Sequence, residues 1–417
     1  MLLPLHQSFP NHALPDVAAA VLSELTASGL ASSLPPGASV AIGAGSRGIS
    51  NISVIVRAVC DYFRAAGLQP FVFPAMGSHG AGTAEGQASV LAHYGITEAT
   101  MGCPVQSRFD TTPLGLSDLG VETYAGNDAL SADAIFVVGR VKWHTSFNGG
   151  IESGLCKMLA VGLGKLDSAS STHRHGRQHG MEAVIRSVAS HILGTGKVLG
   201  GLAILEDAHH NTARVAAVPA AGLVEHEEAL LATVKQWMPR LPVPEIDILI
   251  IDEIGKDISG TGMDLKIVNR NTRPARNPWP NTPKVGCIFA RDLSANSYGN
   301  AIGIGATDVV HSRLIAKMDP QAGQINAETS GSFALIRVPP HFPTDRECLE
   351  LLAKNLGEAC LEDATIVWIR NTLDLSSMVV SNNLSAQLSN NPNVEVTGPP
   401  FPVAFDESGQ LVHWSQQ

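Results

Sequence analysis

Two histidines that follow apolar segments carry the clearest chemical signal in this sequence. His79 lies in the glycine-rich loop 76–82, directly after the apolar segment 70–73, and His144 follows the apolar segment 134–139. Loops that leave buried strands are where α/β proteins place reactive side chains. Two imidazoles on separate strand ends can face each other across one pocket. The sequence therefore predicts an acid–base pair that moves a proton on either side of a substrate.

A lysine follows the second histidine in an apolar segment. Lys157 lies within the run 154–160, after the glycine pair Gly149-Gly150. A lysine among apolar neighbours is suited to be a nucleophile or a covalent attachment point. It can equally extend its amine to the surface. Lys165, eight residues later, is a rival for the same role.

Three further imidazoles lie close together at His173, His175 and His179. One histidine of this kind can ligate a borderline metal, and the spacing of His175 and His179 permits chelation if the segment is helical. No cysteine or carboxylate completes a standard zinc set nearby, so a zinc site is not favoured.

Other loops offer weaker signals. Gly45, Ser46 and Arg47 form a glycine-rich turn before a predicted helix, where the arginine can bind a carboxylate or phosphate. This turn matches neither the dinucleotide fingerprint nor the P-loop. The acidic loops 206–211 and 257–264 suit a hard cation, a polyol or an ordinary loop equally well.

Composition limits the class of protein. The 417 residues are 44% hydrophobic and 16% charged, and this composition favours a large core. The formal net charge of −10 gives nucleic-acid binding little support. The six cysteines form no CxxC pair, which is typical of reduced thiols. Neither a signal peptide nor an apolar run long enough for a membrane helix is visible. We expect a cytoplasmic protein without membrane partners.

Alternating helical and apolar segments predict an α/β fold. Three prolines within 239–244 mark a boundary between a catalytic and cofactor-binding domain, 1–240, and a second α/β domain, 241–417. We expect mostly parallel sheets in both domains and an active site in the cleft between them. The predicted helices are 16–30, 51–66, 83–94, 181–193, 223–237, 309–318 and 345–356. The predicted strands are 39–42, 70–73, 134–139, 199–205, 246–251, 285–290, 334–338 and 364–369.

These motifs resemble the nickel-dependent lactate racemase family of 2-hydroxyacid racemases and epimerases. The resemblance covers most of the chain and is best before about residue 215. Gly77-Ser78-His79 is similar to the family's loop with one catalytic histidine. His144 and Lys157 are similar to its second catalytic histidine and to the lysine that holds a nickel-pincer nucleotide. His173, sixteen residues after Lys157, corresponds to its nickel ligand.

The resemblance implies a mechanism in which the pincer cofactor accepts hydride from the α-carbon and each histidine serves one enantiomer. It implies that the cofactor-binding residues are Lys157, Gly45, Ser46, Arg47, Gly77 and Ser78. It also implies substrate contacts by Arg47, Trp143, Lys256 and Asp264. The turn at 44–48 keeps the family's arginine but lacks its aspartate.

Three functional interpretations remain open. The first is a racemase or epimerase of a 2-hydroxyacid or sugar acid that uses the nickel-pincer nucleotide. The second is a lyase or epimerase on the same fold that uses Mg²⁺ or another divalent metal without the pincer. The third is a non-catalytic binder of organic acids. The expected partner in each case is a small molecule, with self-association as a further expectation.

Overall fold

The computed structural model describes residues 1–45, 48–272, 275–357 and 361–414, and it divides into two compact units. The N-terminal unit is Pro10–Met238, and the C-terminal unit combines Met1–Phe9 with Pro239–Gln417. Strand β1 (Leu2–Gln7) belongs to the C-terminal unit because it pairs with a late strand there. The sequence-based boundary had left residues 1–9 with the first domain, since no local pattern reveals such a distant pairing.

The N-terminal unit alternates strands and helices. Its strands are β2 (Ser39–Ala44), β3 (Gln69–Pro74), β4 (Thr111–Leu116), β5 (Glu122–Gly126), β6 (Ala134–Arg140), β7 (Val198–Glu206) and β8 (Thr212–Pro219). Its helices are α1 (Val17–Ser28), α2 (Ile52–Ala65), α3 (Ala84–His93), α4 (Glu98–Met101), α5 (Asn127–Leu130), α6 (Leu155–Lys157), α7 (Lys165–His179), α8 (Met181–Leu193) and α9 (Leu223–Trp237). A π-helix, Met158–Gly162, lies between α6 and α7.

Five described strands of this unit form a sheet in the order β3-β2-β6-β7-β8. The first four are parallel, β8 is antiparallel to β7, and β4 and β5 form a separate hairpin. Successive β6 residues alternate between two cores: Ile135 and Val137 pack in one, and Phe136 and Val138 in the other. A sheet buried on both faces explains why this strand is a continuous apolar run.

Helix ends follow the polar residues expected from the sequence. Asp16 caps α1 by accepting a hydrogen bond from the Ala19 backbone N–H at 2.9 Å, which confirms the predicted cap. Thr83 caps α3 in the same way through the Gly86 N–H at 3.0 Å. The helix therefore begins at Ala84, five residues after His79, and its cap fixes the end of that loop.

The C-terminal unit contains an eight-stranded sheet among its described residues, in the order β12-β11-β10-β9-β13-β14-β1-β15. Its remaining strands are β9 (Glu245–Ile254), β10 (Lys284–Leu293), β11 (Val309–His311), β12 (His341–Phe342), β13 (Ile366–Ile369), β14 (Ser377–Ser381) and β15 (Val394–Val396). Its helices are α10 (Ser312–Ala316), α11 (Pro320–Ser330), α12 (Asp345–Leu356) and α13 (Ser385–Leu388). Strands β9 to β13 are parallel to one another, while β14, β1 and β15 add antiparallel pairs.

The predicted α/β class with mostly parallel sheets is confirmed. Two element predictions in the C-terminal unit are wrong. Residues 334–338 form a 3₁₀ turn (Phe333–Ile336) instead of a strand, and the predicted helix 309–318 begins as β11. In both places a short apolar run fits either state, and tertiary packing decides. No helix within the described ranges has both the length and the apolar composition that crossing a bilayer requires.

Candidate active site

The His79 loop leaves the end of β3 and is held by one buried amide. Gly77 has φ +62°, a conformation that glycine adopts without strain. The side-chain amide of Gln87, which is fully buried on α3, donates to the Gly77 carbonyl at 2.8 Å and to the His79 carbonyl at 3.3 Å. These contacts fix the backbone on both sides of Ser78 and so orient the half-buried His79.

Two glycines allow this loop to close on α3. A Cβ atom built on Gly86 would lie 1.8 Å from the Gly80 carbonyl oxygen, and one built on Gly80 would lie 2.5 Å from the Gln87 nitrogen. Any larger residue at either position would push the loop away from the helix. The glycines after His79 therefore serve close backbone approach.

Lys157 ends α6 and immediately precedes the π-helix. π-Helical turns are rare and occur frequently at functional sites. This π-helix packs closely against Ala75, the residue that follows β3. A Cβ atom built on Gly162 would lie only 2.5 Å from the Ala75 carbonyl oxygen. The Gly77 N–H donates to the Gly162 carbonyl at 3.3 Å. The lysine and histidine segments are thus packed directly against each other.

A cavity of about 230 Å³ lies between these segments, within the N-terminal unit. Four basic side chains line it, namely His79, Arg140, Lys142 and Lys157, and its described lining includes no carboxylate. The rest of the described lining is Gly45, Ile49, Ala75, Met76, Gly139, Ser153, Gly154, Met158, Val161 and Gly162. Basic groups in a partly apolar cavity favour an anionic ligand of small size.

Arg140 is fixed at the end of β6 by a buried carboxylate. Its guanidinium forms an ion pair with Glu206 at the end of β7 and donates to the Gly48 carbonyl at 2.7 Å. Glu206 also accepts a hydrogen bond from the Ser50 N–H at 2.8 Å. The acidic loop considered as a cation site thus uses Glu206 to join two strand ends to the start of α2.

The His144 loop is organised around Glu152, which is fully buried. Its carboxylate accepts hydrogen bonds from the N–H groups of His144 at 2.5 Å and Gly149 at 3.2 Å. Lys235 of α9 lies 2.5 Å from the same carboxylate and donates to the Gly149 carbonyl at 2.8 Å. A buried carboxylate with these partners fixes the backbone of the whole loop.

The ring of His144 has a defined orientation. The Ser146 N–H donates to Nδ1 at 3.2 Å, the Ser146 hydroxyl lies 2.9 Å from Nδ1, and the ring stacks on Phe147 with centroids 4.4 Å apart. A backbone N–H can only donate, so Nδ1 is the acceptor and the neutral ring carries its proton on Nε2. His144 is not among the described residues that line the cavity. The expected face-to-face pair with His79 stays a prediction.

A second buried carboxylate lies beneath the lysine segment. Glu227 of α9 accepts a hydrogen bond from the Cys156 N–H at 2.8 Å, and its Oε1 has no partner in the described structure. Burial raises the pKa of Glu227 to about 7, although hydrogen bonds from the Cys156 and Leu155 segment oppose the shift. Burial followed by the Glu227 charge raises the pKa of the Cys156 thiol. Cys156 is therefore an unreactive thiol beside Lys157.

His173 lies on α7, which is tied to the π-helix by the Thr172 hydroxyl donating to the Ala160 carbonyl at 3.1 Å. Burial lowers the pKa of His173 from its ordinary value, and the charges of Lys157 and Arg177 lower it further. The imidazole is therefore neutral at pH 7.

The other histidines of α7 do not form a metal cluster. The rings of His175 and His179 are stacked with centroids 6.3 Å apart, and His175 Nε2 lies 3.5 Å from a Glu122 carboxylate oxygen. No group of three or more histidine, cysteine or acidic side chains suited to a metal ion is found in the described part of the chain. Both histidines lie on α7, so their i, i+4 spacing is helical, but within the described residues they belong to no larger group of metal-binding side chains.

The remaining predicted site residues have different positions. Gly45 lines the cavity, Ser78 is half-buried, and Trp143 is buried. Ser46 and Arg47 lie outside the described residues. In the C-terminal unit, Lys256 donates to the Gly260 carbonyl and to Asn326, while Asp264 accepts from the Lys266 N–H. Their proposed substrate contacts stay predictions.

Sequence reasoning missed the residues that support the site. Gln87, Glu152 and Glu227 act through hydrogen bonds to backbone groups of the His79 loop, the His144 loop and the Lys157 segment, respectively. Only Glu152 carried a usable signal, because an acidic residue among the apolar and glycine positions 149–156 needs a partner. Gln87 and Glu227 lie within helices α3 and α9, where nothing local distinguishes a buried polar residue from an exposed one.

Comparison with known proteins reveals only distant similarity. No protein-family model matches this chain, and no curated protein matches it by sequence. Among solved structures, it is similar to the lactate racemase apoprotein from Thermoanaerobacterium thermosaccharolyticum. That similarity has 11% identity and a TM-score of 0.47, covering 95% of this chain and 97% of the other. A structural-genomics protein from Thermotoga maritima has 14% identity and a TM-score of 0.47, covering 70% of this chain and 74% of its own.

Proposed function

We propose that the chain is an isomerase that racemises or epimerises a small 2-hydroxyacid or sugar acid. The observation that carries this proposal is the cavity between the β3 end and the π-helix, lined by four basic groups that include His79 and Lys157. A basic lining attracts the carboxylate of such a substrate. The imidazole in the same cavity can exchange a proton with its hydroxyl group.

The two histidines are proposed to act in opposite directions. His79 lines the cavity and takes the hydroxyl proton of one enantiomer. His144 presents Nε2–H because Ser146 occupies Nδ1, and this arrangement suits the return of a proton. Glu152 holds the His144 backbone and so positions the ring without touching the substrate.

The residues present fit a nickel-pincer nucleotide in their donor chemistry. The Lys157 amine lines the cavity and is the proposed covalent anchor, and the nearby His173 supplies an imidazole nitrogen of the kind that binds nickel. When bound, such a group would supply the hydride acceptor that an unactivated α-carbon needs. Gly45 and Gly77 are the proposed cofactor contacts of the neighbouring loops.

No observation favours the Mg²⁺-dependent alternative. Magnesium prefers carboxylate, phosphate and water oxygens. The described lining of the cavity holds basic and apolar residues but no carboxylate. The isomerase proposal is therefore the one carried forward.

The test uses the full chain isolated from a host that makes the pincer cofactor. Chiral chromatography would follow a panel of 2-hydroxyacids and sugar acids, while mass analysis of the Lys157 peptide and nickel determination would report loading. We expect turnover of at least one acid, and the product formed in D₂O should retain its α-hydrogen because hydride transfer avoids solvent. Deuterium at the α-carbon would instead indicate proton abstraction.

The matched pair of variants is His79→Ala and His93→Ala. His93 ends α3 on the same unit but does not line the cavity among the described residues. His79→Ala should lower kcat/KM by roughly 10²–10⁴-fold, as expected for loss of a general acid–base group, whereas His93→Ala should leave it unchanged. Acid binding without turnover by the loaded chain would instead support the non-catalytic binder.

A further inference from the structure

Two cysteines outside the candidate active site have their sulfur atoms in contact. Cys60 of α2 and Cys103, which follows α4, place their Sγ atoms 3.5 Å apart. Both belong to the core on one face of the N-terminal sheet. A disulfide requires the two sulfurs to approach from this contact to a bonding distance of about 2.05 Å.

The backbone around Cys103 is fixed toward α2 by two arginines of that helix. Arg57 donates to the Thr100 carbonyl at 2.7 Å, and Arg64 donates to the Gly102 carbonyl at 2.5 Å. Asp61, between them on α2, forms ion pairs with both guanidinium groups. The cysteine-bearing turn is therefore held against the helix that carries its partner.

Gly102 makes this approach possible. It has φ +61°, and a Cβ atom there would lie 2.5 Å from Arg64 Nη1. On the other side of Cys103, the chain pairs with β3, where the Val72 N–H donates to the Pro104 carbonyl at 2.9 Å. Contacts on both sides thus present the Cys103 thiol to Cys60.

We propose that Cys60 and Cys103 form a reversible disulfide on reaction with a hydroperoxide. Cys103 is the residue that attacks the peroxide, because it is 9% exposed while Cys60 is fully buried. Cys60 is the resolving residue because its sulfur is already in contact with the sulfur that becomes oxidised.

The electrostatic surroundings support this assignment. A hydrogen bond with Cys60 lowers the pKa of Cys103 against the opposing effect of burial, and the charges of Arg64 and Arg57 lower it further. The same hydrogen bond, followed by burial, raises the pKa of Cys60. By contrast, burial raises the pKa of Cys287 and raises that of Cys348 to about 12. Thiolate character governs attack on a peroxide, so Cys103 is the favoured site among the described cysteines.

The reaction balances in two steps. The Cys103 thiolate attacks one peroxide oxygen, the O–O bond breaks, and a sulfenic acid forms while water or an alcohol leaves. The Cys60 sulfur then attacks the Cys103 sulfur, the S–OH bond breaks, and the hydroxide leaves as water with the Cys60 proton. Two thiols lose two electrons in total, and the peroxide gains them.

The primary test uses the unmodified full chain. The folded protein is treated with hydrogen peroxide, free thiols are alkylated, and the unreduced digest is examined by mass spectrometry. We expect a cross-linked peptide pair that contains Cys60 and Cys103, loss of two alkylatable thiols, and complete reversal by dithiothreitol. Absence of this pair, or equal cross-linking among Cys156, Cys287 and Cys348, would overturn the proposal.

The variants Cys60→Ser and Cys103→Ser test the order of the steps. With dimedone present during oxidation, Cys60→Ser should accumulate a sulfenic-acid adduct on Cys103, and Cys103→Ser should give none on Cys60. Equal adducts in the two variants would contradict the assigned roles. Circular dichroism verifies that both variants fold, and the unmodified chain decides the pairing if either does not.

Discussion

Lys157 and Lys165 lie eight residues apart, yet they belong to regions with opposite properties. Lys157 is half-buried and lines the cavity. Lys165 is completely buried, and its amine lies 2.9 Å from Asp128 and 2.5 Å from the Pro74 carbonyl. Pro74 ends β3, so the second lysine supports the strand that leads to the His79 loop.

The π-helix between the two lysines separates these regions. Both lysines have apolar neighbours in the sequence, which made them rivals for one role. The difference comes from Asp128, a fully buried carboxylate that only the fold brings to Lys165. The comparison shows that apolar neighbours in the sequence do not distinguish a lysine that lines a cavity from one that is ion-paired in the core.

The largest expected effect separates the two lysines by activity. Lys157→Met should lower isomerase kcat/KM by roughly 10³-fold or more, because the proposed anchor is lost. The free energy of unfolding should change by no more than about 0.5 kcal/mol, because the side chain lines a cavity. Chiral chromatography and urea unfolding measure the two quantities. Full activity in this variant would remove Lys157 from the proposed site.

The second prediction concerns stability at Lys165. Lys165→Met should lower the free energy of unfolding by about 3–5 kcal/mol, because it leaves the buried Asp128 carboxylate without its cation. The double variant Lys165→Met/Asp128→Asn should recover part of that loss, because the uncompensated charge is gone. Urea unfolding of the three proteins gives the comparison. If the single variant is as stable as the parent, the buried pair is not the source of the difference.

The third prediction concerns pH and the carboxylate beneath the Lys157 segment. The pKa of Glu227 is raised from its ordinary value of 4.5 to about 7. The folded state therefore binds the Glu227 proton more tightly than the unfolded state does. The resulting contribution to the free energy of unfolding is fully present below pH 4.5 and is lost as pH rises through 7. The difference corresponds to about 3 kcal/mol.

Urea unfolding at intervals between pH 4.5 and 8 checks this slope, with Glu227→Gln as the control. The variant lacks the titrating group and should lose this part of the pH dependence. An identical slope in both proteins would show that other groups cause it.

The smallest expected effect is at Ser146. Ser146→Ala removes the hydroxyl 2.9 Å from His144 Nδ1 but keeps the backbone N–H donor. Loss of one such hydrogen bond costs about 1 kcal/mol, which corresponds to about fivefold in kcat/KM. Steady-state kinetics across pH would measure it. A loss as large as that of His79→Ala would mean that the hydroxyl itself transfers a proton.

Much of the fold follows from local patterns. The predicted bounds of the helices Met181–Leu193, Leu223–Trp237 and Asp345–Leu356 agree with the structure because each has a clear apolar face. Helix α7 was not predicted, since its serines, histidines and Gly176 give little helical signal. Its stability comes from tertiary contacts such as that of Thr172 with the π-helix.

The candidate site was predictable only in part. The glycine-rich loop of His79 and the apolar context of Lys157 are visible in the sequence, and the structure brings both residues to one cavity. The backbone at His144 is held by Glu152, whose ion-pair partner Lys235 lies 83 positions later in the chain, so no local pattern predicts the position of this histidine. Likewise, Arg140 and Lys142 enter the cavity only because β6 extends to residue 140 beside β2 and β7.

The position of β1 has a consequence for synthesis. Its six residues pair with β14 on one side and β15 on the other, and 370 positions separate Gln7 from Ser377. At about 5–20 residues per second on the ribosome, roughly 20–75 s pass before that partner strand emerges. During this interval an apolar segment waits without its native neighbours, so nascent-chain chaperones should contact it longer than any strand of the N-terminal sheet.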